Sequence, residues 1–277
     1  MAIWEYGFMQ NAMLAGFFGG LACSLVGVFV VAMGLSFIGV CIVHSAFAGA
    51  LLGVWLGFNP LAGALAFSLL ATAVIGPLAD RGEINADTSI GFIFSLMIGL
   101  AFLFVGLMPG ARTEALNLFW GSILTVDGGT MVFMGIVALV VVAVVAAFFK
   151  EIQAVLCHRD IALAVGIPAT AVFYGLLVLT GATVTASLQS IGGLLIYALI
   201  LNPAAAAYQL TYSLKRMFLL SAVFGVGSCW IGLAMSYLLN LPTGAVIVII
   251  SSIAFAVAAI LSPKRKTRKW LKVQPMV

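Results

Sequence analysis

Charge is what this sequence most lacks. Of its 277 residues 7% are charged and 64% are hydrophobic, against about 25% charged in soluble domains. So few charges cannot cover a water-facing surface, which excludes a soluble globular protein. The four cysteines, Cys23, Cys41, Cys157 and Cys229, form no CxxC pair, so neither a disulfide framework nor a structural zinc site follows. No GxxxxGK[ST], HExxH or GxSxG occurs, so the chain is not expected to be an enzyme or to hydrolyse ATP by itself. The opening MAIWEYGFMQ lacks a basic region, and no short apolar stretch with a cleavage site follows; no removable signal peptide is expected.

What is present is a series of long apolar runs. A helix needs about 20 apolar residues to cross a bilayer. Segments 8–33, 36–57, 60–79, 89–108, 130–149, 168–187, 191–209, 217–239 and 244–261 meet that need. The expectation is an all-α, polytopic membrane protein with nine transmembrane helices, or eight if 191–209 is broken or re-entrant. Continuous runs of this length exclude the alternating ten-residue strands of a membrane barrel. Residues 1–262 form the transmembrane domain, and 263–277 form a basic tail. The 30 glycines fit helices that pack closely in lipid.

Basic residues set the orientation. Of the 12 Lys and Arg residues, only Arg112 falls on one side; Arg81, Lys150, Arg159, Lys215, Arg216 and the whole PKRKTRKWLK tail fall on the other. By the positive-inside rule that side and the C-terminus are cytoplasmic, and the N-terminus is outside. The tail reads as a topology anchor or a contact with membrane lipid. No nucleic-acid partner is expected.

One ionisable residue lies deep in a span. His44 sits in SFIGVCIVHSAFAGALLGVWLG, with no charged residue nearer than Glu5 or Asp80. Eight residues into the helix is about 12 Å along its axis, close to the bilayer midplane. Ionisable groups there are costly and usually face a cavity or the bundle interior. Cys41, three residues earlier, is on nearly the same face. Thiolate and imidazole together favour zinc-like, borderline-soft divalent cations. Alternatively, His44 hydrogen-bonds a backbone carbonyl on a neighbouring helix. Gly49, Gly53 and Gly57 form a small-residue ridge turned away from it.

Four further stretches stand out. In KEIQAVLCHRDIALAVGIP, 150–168, a short amphipathic helix is expected, stopped by Gly166 and Pro168, docking on a partner or lying on headgroups. In ADRGEINADTSIGF, 79–92, Asp87 is placed to cap the helix that follows. The segment TEALNLFWGSILTVDGG, 113–129, reads as a surface helix with Trp120 at the interface. In GGLLIYALILNPAAAAY, 192–208, Asn202 and Pro203 are expected to break the span and line a pathway.

Taken in order, FIGVCIVHSAFAG, ADTSIGFIFS, LNLFWGSIL, HRDIALAVGIP, GGLLIYALILNPAAAA and LPTGAVIVII resemble the membrane permease subunits of ATP-binding-cassette importers for zinc, manganese and iron. The likeness runs from about residue 10 to 262. It implies a homodimer around a central pathway, two cytosolic ATPase subunits docked on the coupling segments, and an extracytoplasmic metal-binding protein that delivers the ion. By position, His44 matches the histidine of the family's glycine–aspartate–x–x–x–histidine motif, a metal ligand. Arg159, Asp160, Ala162 and Gly166 match the stretch that contacts the ATPase. The family's aspartate falls here on Val40, so Cys41 is the candidate second ligand. Zinc is expected first, then manganese or iron, as transported substrate and not as a permanently bound cofactor.

Other classes are weaker. A transporter driven by an ion gradient usually carries several ionisable groups in its spans, and here only His44 serves. A permease for a siderophore- or cobalamin-type chelate would need a wide cavity. A scaffold leaves His44 without a role, and an intramembrane enzyme would need a second catalytic partner near it.

Overall fold

The computed structural model describes residues 7–80, 86–108, 121 and 123–264. Among them eleven α-helices follow in order: α1 Gly7–Ala32, α2 Ser36–Leu56, α3 Pro60–Asp80, α4 Ala86–Leu107, α5 Gly128–Ala147, α6 Phe149–Cys157, α7 Arg159–Ala164, α8 Ala169–Ile191, α9 Gly193–Leu210, α10 Leu214–Leu239 and α11 Thr243–Ile260. A short 3-10 turn, Ile123–Thr125, precedes α5. Nine of these helices are long and apolar enough to cross a membrane. The all-α reading holds, and the choice between eight and nine spans falls to nine among the described residues.

Close backbone approach explains why glycine is frequent. Helix α1 is the central post, packed by α5, α8, α9 and α10. It crosses α10 where Gly20 meets Gly225, and Ser221 Oγ donates to the Ser24 carbonyl at 2.8 Å. It crosses α9 where a Cβ on Gly27 would lie 2.8 Å from the Ile200 carbonyl carbon. Helices α2 and α3 cross at Gly49 and Gly63. In lipid such packing replaces the hydrophobic drive available in water. The outward faces of α4, α5 and α11 carry Phe102, Leu139 and Ile253, exposed as lipid-facing residues are.

The structure corrects several local expectations. Helix α9 runs unbroken through Asn202 and Pro203; the interruption lies at Gly192, whose φ of 85° ends α8. Pro203 costs one backbone bond, yet the helix continues through it to Leu210, as packing within a bundle allows. The 150–168 connection is two short helices, not one, because His158 adopts extended backbone, φ −153° and ψ 93°, between them. Helix α4 already begins at Ala86, so Asp87 lies inside its first turn and not at the cap. The expected surface helix around Trp120, and most of the basic tail, lie outside the described residues.

Candidate functional site

Helix α2 carries the site. Its Gly49 is pressed onto Gly63 of α3, which fixes the helix against the core. One turn before that contact, Val43 and Ser45 are buried on either side of His44, while His44 is only half-buried. His44 Nδ1 lies 2.9 Å from the Val40 carbonyl oxygen. A carbonyl only accepts, so Nδ1 carries the shared hydrogen, and in the neutral ring the lone pair falls on Nε2. This carbonyl partner belongs to α2 itself, one turn back. The imidazole also meets the Phe94 ring of α4, centroids 5.0 Å apart and planes at 79°. Phe94 in turn meets Phe37, 6.4 Å away at 90°.

Cys41 takes a different environment. It is fully buried in the core packed around α2, and its carbonyl accepts from Ser45 Oγ at 2.7 Å. Among the described residues no three His, Cys, Asp or Glu side chains converge as a metal-holding group. With Val40 where a carboxylate would stand, this chain offers one imidazole at that depth.

The connection between α5 and α8 is the second candidate. Ala162 is buried, packed with Val155 and Ala169. Arg159 stacks over the Phe173 ring, 5.0 Å from its centroid, and its Nη2 donates to Thr170 Oγ1 at 3.4 Å. Asp160 is exposed. Gly166 takes φ 86°, and the turn around it closes with Ile167 N donating to the Ala162 carbonyl at 3.0 Å. These contacts pin one side of α7 to the span. Ile161, Leu163 and Val165 are left 59%, 48% and 68% exposed. These exposed apolar side chains lie beside the exposed Asp160 carboxylate.

The match to known proteins decides what the bundle is. Residues 5–262 fit the model of the ABC 3 transport family. The chain belongs to that family. It is 31% identical over 261 residues to the manganese transport system membrane protein MntC of Listeria innocua, covering 94% of this chain and 93% of that one. It is 32% identical over 265 residues to the manganese import system permease protein ScaB of Streptococcus gordonii, covering 96% and 95%. Among solved structures it is similar to PsaBC from Streptococcus pneumoniae in complex with Fab, with TM-score 0.85, 30% identity, and coverage of 97% and 96%.

In this family member, Asn202 has a role that sequence reading missed. Its Nδ2 donates to Ser251 Oγ at 3.0 Å and to Ser252 Oγ at 3.1 Å, tying α9 to α11 within the membrane. The Ser251–Ser252 pair in an otherwise apolar run was the available signal. At the end of the bundle where α10 turns into α11, a cavity of about 780 Å³ is walled by Phe8, Ile123, Leu194 and Leu241 among others. Among the described residues its walls carry no histidine, cysteine or carboxylate.

Proposed function

We propose that this chain is the membrane permease of an ATP-driven importer for a divalent transition metal, with manganese as its first cargo. The observation that carries the reading is the half-buried imidazole of His44, its lone pair on Nε2, at the middle of a core helix in an ABC 3 family bundle. The names of the relatives support manganese. So does the donor chemistry. With the Cys41 thiol sealed in the core, the donor that remains on α2 is an imidazole, which suits manganese(II) better than a thiolate site would. Zinc, placed first on sequence, moves behind manganese, and iron(II) stays open.

The chain holds no ATPase motif, so energy enters through separate cytosolic ATPase subunits seated on the Arg159–Gly166 segment, where Ile161, Leu163 and Val165 are exposed. A second copy brings a second His44 across a shared central route, completing a weak site. Weak coordination suits transport, since an ion must leave as readily as it enters. An extracytoplasmic metal-binding protein delivers the ion, and alternating access releases it to the cytoplasm, where the basic connections and C-terminus lie. The site lies within the prokaryotic cell membrane.

The test is uptake of radioactive manganese(II) by cells carrying wild type or His44→Ala as their sole importer. The variant loses at least about tenfold of its uptake, the scale of a lost metal ligand or its support. Equal uptake by the two removes His44 from the route.

A further inference from the structure

We infer that Phe94 is a positioning residue for the metal: its ring fixes the His44 imidazole in the orientation that aims Nε2 at the ion. The inference rests on the proposed role of His44. An imidazole has a broad, nearly two-fold torsion about its last bond, so a half-exposed ring needs anchors to hold one nitrogen toward a route. Two are present. One is the Nδ1 hydrogen bond to the Val40 carbonyl at 2.9 Å. The other is Phe94, which meets the imidazole edge to face with centroids 5.0 Å apart, a geometry in which ring quadrupoles attract.

The company Phe94 keeps argues that this is its purpose. On α4, Phe92 and Phe102 are 68% and 73% exposed, turned out toward lipid. Phe94 and Phe104 turn inward: Phe104 stacks on Trp55, whereas Phe94 is packed against the core beside His44 and braced by Phe37 at 6.4 Å and 90°. The three rings form a chain, Phe37 to Phe94 to His44, that joins α2 to α4 beside the imidazole. Further along the same helix, Ala101 and Phe104 pack with Ala48 and Leu51 of α2, so α4 is held firmly on the helix that carries His44. Phe94 is the α4 residue whose ring meets the imidazole. Phenylalanine offers the ion no lone pair. It shapes the site by closing one side of the imidazole, which leaves the ligand count low.

The experiment compares wild type, His44→Ala, Phe94→Leu and Phe94→Tyr in the full transporter, with manganese(II) as the probe. Uptake kinetics are read as KM and maximal rate. Nitrogen modulation of the manganese spin-echo signal in the purified full chain reports imidazole ligation. Phe94→Leu keeps the volume and loses the ring. The expected result is a KM raised roughly two- to tenfold at a preserved maximal rate, with weakened nitrogen modulation. Phe94→Tyr restores both. An unchanged KM in Phe94→Leu overturns the inference, as does a fall in maximal rate alone, which marks a purely structural role. If His44→Ala keeps both uptake and nitrogen modulation, the proposed function itself fails. If His44→Ala loses them while Phe94→Leu behaves as wild type, only the positioning role fails.

Discussion

Replacing Gly49 by alanine adds one carbon where two helix backbones already touch. That carbon would lie 2.7 Å from both the Gly63 carbonyl carbon and Phe67 Cβ, and nearer still to the Gly63 oxygen. Non-bonded carbons rest at about 3.5–4.0 Å, so α2 and α3 must part by roughly an ångström. Neither neighbour is the far end of a flexible side chain; the obstacle is backbone. Overpacking of this kind costs about 1–3 kcal/mol, which lowers the melting temperature of a chain this size by roughly 2–12 °C. The separation also shifts His44, five residues earlier on the same helix, so manganese uptake falls with it. The control is Gly99→Ala on α4, where nothing lies within 4 Å. There alanine is neutral or stabilising, because glycine inside a helix is worse by about 0.5–1 kcal/mol. Both variants are measured in detergent by tryptophan fluorescence on heating. If Gly49→Ala melts with Gly99→Ala, the α2–α3 crossing is not the rigid contact argued here.

Two further perturbations test the bundle away from His44. Asn202→Ala removes both side-chain bonds to Ser251 and Ser252; membrane hydrogen bonds average about 0.6 kcal/mol each, so the variant melts a few degrees lower, and an unchanged melting point denies the link between α9 and α11. Asp127 caps α5, accepting from Gly129 N at 3.0 Å and Thr130 N at 3.3 Å and from the Thr130 hydroxyl. The hydrogen bonds from Thr130 hold its carboxyl below the ordinary value of 3.8. A lowered folded value gives stability that is complete above the unfolded value and is lost as pH falls through the folded one. Wild type therefore melts above Asp127→Ala at neutral pH, and the two converge only in acid below 3.8. A difference that persists unchanged in strong acid contradicts the capping account.

The spans were legible because bilayer thickness is a length, and length can be counted. The run 36–57 became α2 at Ser36–Leu56, and 244–261 became α11 at Thr243–Ile260. What each face of a span touches was not legible. In a helix apolar all round, such as α2, hydrophobic periodicity has nothing to contrast with, so no pattern told which residues are sealed and which look into a gap. Phe94 was hidden for that reason, as one phenylalanine among 20. Pro203 misled for another: a local rule about proline was overruled by the helices around it, while Gly192, with its positive φ, made the real interruption.

The order of metals turned on the same limit. Three residues along a helix rotate a side chain by about 300°, which leaves Cys41 some 60° from His44. On sequence that is close enough to pair them as ligands. In the bundle it separates a half-exposed imidazole from a thiol with no exposed surface. A soft donor that cannot reach the ion cannot set its identity. With Val40 also silent, the proposed function leaves the imidazole as the donor that α2 offers. A lone imidazole without a thiolate beside it would bind manganese(II) weakly enough to release it, as transport requires.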